Sequence, residues 1–154
     1  MSNIFNADFR DFIQALNDCN VQYILVGGYS VILHGYSRTT GDMDIWVKKD
    51  DENYHRLTKA FHEFKMPLFD MTKENFMNNA TIDVFTFGQA PVCIDLMTSV
   101  KGLNFDEAYL NSQIHSIEDL NIRVVNYNDL IKAKQASGRP RDMDDIEKLR
   151  KRKK

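Results

Sequence analysis

The chain contains no apolar run approaching the roughly 20 residues that cross a bilayer. Its first ten residues, Met1 to Arg10, hold no basic stretch followed by an apolar one. Neither a membrane span nor a secretory leader is therefore expected. Only two cysteines occur, Cys19 and Cys93, without Cys or His neighbours at zinc spacing. They read as reduced, partly buried thiols of a cytoplasmic protein. Internal repeats and long linkers are also absent. The 154 residues are expected to form one domain, 1–154, around one core.

Net charge is only −2, but it is unevenly spread. From residue 131 onward ten Lys and Arg face four Asp and Glu, whereas the first 130 residues carry ten against eighteen. The chain closes on five basic residues, Arg150 to Lys154. A solvated helix end explains that run, since cations suit a helix C-terminus. An RNA contact is the sharper reading of the same tail.

Periodicity gives the elements. Phe9, Phe12, Ile13 and Leu16 recur at helical spacing behind a capping Asn6, predicting a helix over about 7–18. Val21 to Val26 is a short apolar run typical of a strand buried on both faces. Gly27-Gly28 ends it, and a helix over Tyr29 to Gly35 follows. Met43 to Val47 is a second strand, and Asp50 caps a helix with Leu57, Ala60, Phe61 and Phe64 on one face. A short helix is expected after Thr72. Ile82 to Phe87 and Val92 to Met97 make a hairpin through Gly88 to Pro91. A short helix over Phe105 to Leu110, strands at Gln113–Ile117 and Arg123–Val125, and a helix over Asn128–Ala136 complete the middle. The last helix and basic tail begin at about 142. The fold class is α/β (α+β): a single mixed sheet flanked by helices. Phe5, Phe9, Phe12, Phe61, Phe64 and Trp46 are assigned to packing.

The chemistry lies between residues 23 and 47. Asp42 and Asp44 sit two apart at a strand start, so both point to one face, with Cα atoms about 6.5–7 Å apart. Two such charges near 5 Å repel by roughly 3 kcal/mol at an effective dielectric of 20. A divalent cation removes the conflict, and oxygen donors without clustered His or Cys favour Mg2+ or Mn2+. A polar strand end would also explain an isolated Asp-x-Asp. A third acid shifts the balance: Asp95 lies inside the apolar run Val92 to Met97 and needs a partner there. Asp83 is the rival third acid, in a less apolar setting. Gly27-Gly28, between a buried strand and a helix, lets backbone N–H groups meet phosphate. Ser30 offers a hydroxyl, and Arg38 a bidentate grip on a phosphate. His34 is read as a satisfied helix histidine.

Together these residues resemble the nucleotidyltransferase superfamily related to DNA polymerase β. The resemblance rests on Gly27, Gly28, Asp42, Asp44 and Asp95. It is strongest to small bacterial proteins of that group, through Arg38-Thr-Thr-Gly-Asp42-Met-Asp44, Ile94-Asp95-Leu-Met-Thr98 and Lys134…Gly138-Arg-Pro-Arg-Asp142, over roughly residues 20–150. Lincosamide-modifying enzymes and abortive-infection toxins look similar at greater distance. The resemblance implies transfer of a nucleoside monophosphate from an NTP to an acceptor hydroxyl, releasing pyrophosphate. The acceptor could be a small molecule, a protein or RNA. Asp42 and Asp44 would hold magnesium on the triphosphate, and Asp95 would share the second metal and help activate the acceptor. Lys132 or Lys134, with Arg139 or Arg141, would neutralise phosphate. The chain departs from the pattern where Gly28 replaces a serine. It also lacks a large acceptor-holding domain, which suggests a homodimer or another protein completing the cleft. The alternative is a non-catalytic NTP-binding or partner-binding module, such as one half of a toxin–antitoxin pair.

Overall fold

The computed structural model describes residues 6–89 and 92–153. Phe5, residues 90 and 91 of the expected turn, and Lys154 lie outside the described residues. The order is α1 (Ala7–Asp18), β1 (Tyr23–Val26), α2 (Gly27–Leu33), β2 (Met43–Val47), α3 (Asp51–Phe64), α4 (Lys73–Asn78), β3 (Val84–Gln89) and β4 (Val92–Met97). Then come α5 (Phe105–Asn111), β5 (Gln113–Ile117), β6 (Leu120–Val124), α6 (Tyr127–Ser137) and α7 (Pro140–Lys153).

The helix starts follow their caps. Asn6, Asp50, Thr72, Asn104 and Asn126 each accept a backbone N–H from the first turn with the side-chain oxygen. Several boundaries differ from the periodicity: β1 begins at Tyr23 rather than Val21, and β3 runs over Val84–Gln89 rather than Ile82 to Phe87. Helix α2 begins at Gly27 itself, two residues earlier, because the turn is made by Gly27 at φ 69° rather than by a loop. Helix α7 begins at Pro140 rather than Asp142, with proline at the first helical position, where a missing N–H costs nothing. Strand β6 ends at Val124 and begins at Leu120, pairing with β5 through a tight turn at Glu118 and Asp119, both with positive φ.

The six strands form one mixed sheet in the order β3-β4-β2-β1-β6-β5. The inner pairs β2·β4 and β1·β6 are parallel, whereas β1·β2, β3·β4 and β5·β6 are antiparallel. Strand alternation sends Tyr23, Leu25, Met43, Ile45, Ile94, Leu96, Phe85 and Phe87 to one face. Helices α1 and α3 cover that face. Phe61 packs edge-on to Phe12 at 5.7 Å and to Phe87 at 4.8 Å, tying both helices to β3. The opposite face carries Ile24, Val26 and Trp46 against Ala108 of α5, Leu130 and Ile131 of α6, and Ile146 and Leu149 of α7. Trp46 packs on Phe105 at 5.1 Å, which fits its packing role. Among the described residues no helix is long and apolar enough to cross a membrane.

Phe61 is therefore the residue whose loss should be felt most on the larger core. Phe61→Ala is expected to lower unfolding stability in urea by about 3–5 kcal/mol, with the slope unchanged. A loss under about 1 kcal/mol would mean that this aromatic cluster does not anchor the helices.

Candidate active site

The acids follow from register. Asp44 lies on the same β2 face as Trp46, and Asp95 is its direct Cα partner on the parallel strand β4. Neighbouring strands are about 4.8 Å apart, so both carboxylates leave the sheet side by side. Asp42 stands two residues before Asp44, just ahead of β2, and is exposed. All three line one cavity of about 370 Å³ at the end of the sheet. Gly27, Gly28 and the 38–41 loop form a second wall, and Lys134, Arg139, Arg141 and Asp142 form the third. The rival acid Asp83 is elsewhere: it precedes β3, is exposed, and accepts a hydrogen bond from Ser99 Oγ at 3.2 Å.

The electrostatics record the crowding. Burial pushes the Asp44 carboxyl up to about 7, with the charges of Asp95 and then Asp42 adding to it; Lys134 and Arg139 pull the other way. Asp42 is raised too, by burial first, then by the charge of Asp95 and a side-chain hydrogen bond with it. Asp95 Oδ1 accepts a hydrogen bond from Thr86 Oγ1 at 2.7 Å, its cross-strand partner on β3. Among the described residues no group of three His, Cys, Asp or Glu side chains is already gathered to the spacing of a metal shell.

Gly27 is required here. A Cβ at that position would stand 2.0 Å from Asp44 Oδ2. The close approach of the β1–α2 turn to the acids thus depends on a residue with no side chain. At Gly28 a Cβ would meet Thr40 Oγ1 at 2.1 Å, so the second glycine lets the 38–41 loop close down on the turn.

The cationic wall is held by two buried carboxylates to which the sequence reading gave no role at the site. Asp142 and Asp145 of α7 are 1% and 0% exposed. Lys134 Nζ donates to Asp142 Oδ1 at 3.2 Å and forms an ion pair with Asp145 Oδ2 at 2.9 Å. Arg139 Nε donates to Asp142 Oδ2 at 2.7 Å. Arg38 meets Asp145 through Nε at 2.9 Å and Nη2 at 3.1 Å, and its Nη1 donates to the Thr39 carbonyl. Burial raises Asp142, but hydrogen bonds from Arg139 and Lys134 outweigh it and hold the carboxyl below the usual range. The three cations thus pair with Asp142 and Asp145 rather than with the three site acids. Arg141 differs: it is exposed, lines the cavity, and donates from Nη2 to the Thr39 carbonyl at 3.0 Å. The sequence signals for this clamp were the Lys134…Asp142 motif and the Asp142-x-Asp144-Asp145 spacing on one helix.

Three of the expected residues have other surroundings than a phosphate contact needs. Ser30 is fully buried and donates its hydroxyl to the Gly27 carbonyl at 2.6 Å, so it braces the turn and does not face the cavity. Lys132 is exposed and does not line the cavity, because α6 turns Lys134 inward instead. Arg38 lines the cavity, but it is already ion-paired with Asp145, to which its Nη2 donates. Of the others, Gly27, Gly28, Lys134 and Arg139 line the cavity with the acids. His34 Nε2 lies 2.7 Å from the Val125 carbonyl, a satisfied position at the end of α2. On the tail, Lys148 and Lys151 pair with Asp144 at 3.9 Å and Glu147 at 3.1 Å along α7, as a solvated helix end would.

The same fold occurs in several solved structures. A protein described as a nucleotidyltransferase, TM1012 from Thermotoga maritima, aligns with TM-score 0.58 and 14% identity over 93% of this chain and 88% of its own. The lincosamide antibiotic adenylyltransferase LnuA, bound to lincomycin, aligns with TM-score 0.54 and 15% identity over 97% and 98%. An antigenic nucleotidyltransferase-like protein from Paracoccidioides brasiliensis gives 0.54 and 15% over 91% and 72%. At such identity these likenesses speak for the fold alone. No curated protein matches the chain. The family does: residues 7–152 match the family described as nucleotidyltransferase of unknown function (DUF6036), and the chain belongs to it.

The raised Asp44 carboxyl has a thermodynamic consequence. The unfolded chain loses that proton near pH 3.8 and the folded chain near 7, so the folded state binds more protons between them. Stability in chelator should therefore fall as pH rises through that window, by an amount on the order of 4 kcal/mol at most. Asp44→Asn should abolish most of the slope in urea titrations at pH 5 and pH 8. An equal slope in the variant would assign the pH dependence to other groups.

Proposed function

We propose that the chain transfers a nucleoside monophosphate from an NTP to an acceptor hydroxyl and releases pyrophosphate, with Mg2+ or Mn2+ held by Asp42, Asp44 and Asp95. The observation that carries this reading is the convergence of Asp42, Asp44 and Asp95 on one cavity walled by glycine backbone and cations. Three carboxylates without His or Cys form a hard oxygen donor set that suits these ions. When bound, such an ion offsets the charge of the carboxylates and of the triphosphate together.

The chain's own residues divide the remaining work. The Gly27–Gly28 turn admits phosphate close to backbone. Arg141 and the unspent donors of Arg139 balance the charge that develops on the leaving pyrophosphate. Lys134 and Arg38 add positive potential from positions fixed by Asp142 and Asp145. Asp95 takes the acceptor proton, and Thr86 fixes its carboxylate by donating to Oδ1. The lincomycin-bound state of LnuA, a structural neighbour, supports a small-molecule acceptor here.

The test is release of pyrophosphate from each NTP with magnesium and a panel of hydroxyl compounds. Asp42→Asn and Asp95→Asn should each lower the rate by about 100-fold or more. Activity retained in both variants would remove the three acids from the reaction.

A further inference from the structure

A second cavity, of about 290 Å³, opens on the other side of the acids. It shares Asp44, Asp95, Lys134 and Arg139 with the first, but it does not reach Asp42, Thr40 or Arg141. Its own walls are mostly apolar: Met97 at the end of β4, Val100 and Leu103 after it, Val125 after β6, and Leu130 and Ala133 of α6, with Ser137 the polar exception. Val125 and Leu130 are buried in the smaller core, and Met97, Val100 and Leu103 pack against it while remaining partly open.

From this arrangement we infer that the second cavity holds the acceptor, and that the acceptor is a compact neutral molecule carrying a hydroxyl on an apolar ring. The inference rests on the transfer reading above. Lys134 is buried and held by Asp142 and Asp145, and Arg139 is bound to Asp142, so the positive charge sits at the edge shared with the first cavity and none lies on the apolar walls. An RNA end would bring phosphates to a wall of Val, Leu and Met, where nothing replaces their counterions. A polycation would lie on the same apolar surface without hydration. A ring of one or two cycles fits, since the volume lies at the lower end for ligand pockets. With the ring against Leu103 and Leu130, its hydroxyl reaches the rim at Asp95. The hydroxyl oxygen then bonds to the α-phosphorus, and its proton passes to the Asp95 carboxylate. The bond from that phosphorus to the bridging oxygen breaks, and pyrophosphate leaves with the electron pair.

The test uses the full chain with 13C-labelled Met, Val and Leu methyls and 15N amides. The probes are p-cresol and α,β-methylene-ATP with magnesium. The expected result is that p-cresol shifts the methyls of Met97, Val100, Leu103 and Leu130, and still does so when the nucleotide analogue is saturating. The analogue itself should shift Thr40, Gly41 and Arg141 amides. Val100→Glu should weaken p-cresol by about tenfold or more, because it sets an unpaired charge in the apolar wall. If the analogue moves the four methyls and expels p-cresol, the cavity belongs to the nucleotide base and the inference is wrong. Absence of any methyl shift with p-cresol also overturns it. A methyl response without any response to the analogue would instead overturn the transfer reading, and the acceptor role with it.

Discussion

Mutual repulsion among Asp42, Asp44 and Asp95 is the constraint around which the rest of the site is arranged. A parallel register places Asp44 directly beside Asp95, and strand alternation puts both on the face shared with Trp46. Folding alone does not relieve that repulsion: Asp44 is held up to about 7 by burial and by its two neighbours. A protein keeps such an arrangement at a cost in stability, and sites of this kind are where function concentrates. The cations nearby do not cancel it, because Asp142 and Asp145 hold them in place.

That second group of charges works as a brace. Arg38 comes from the loop before β2, Lys134 from α6, and both meet Asp145 of α7. One buried carboxylate therefore joins three segments that surround the cavity. Removing one partner of such a cluster leaves the others charged and buried, which is usually severe. Its role is to fix the cavity's cationic wall at a set distance from the acids. In the proposed reaction that spacing would let the wall face a triphosphate without collapsing onto Asp44 and Asp95.

Much of this was legible in the sequence, for local reasons. The caps Asn6, Asp50 and Thr72 are read directly from residue type, and α1 and α3 carry clear apolar stripes. The pair Asp42 and Asp44 follows from strand period alone, and the choice of Asp95 over Asp83 follows from apolar neighbours. What escaped was long-range. The contact of Arg38 with Asp145 spans 107 residues, and nothing near either one announces the other. Ser30 looked available because it follows a glycine turn, yet α2 starts early enough to aim its hydroxyl at the Gly27 carbonyl. Lys132 and Lys134 could not be separated without knowing which face of α6 meets α7. The second cavity is assembled from segments far apart in the chain and left no motif.

The central claim is that these three acids form a divalent-cation site that serves a nucleoside triphosphate. Titration of Mn2+ followed by electron paramagnetic resonance, with and without α,β-methylene-ATP, tests it most directly. The account predicts that Mn2+ binds the wild-type chain, more tightly with the nucleotide present, and that the double variant Asp42→Asn, Asp44→Asn loses both effects. Equal Mn2+ binding by the double variant, or nucleotide affinity indifferent to the ion, would contradict it.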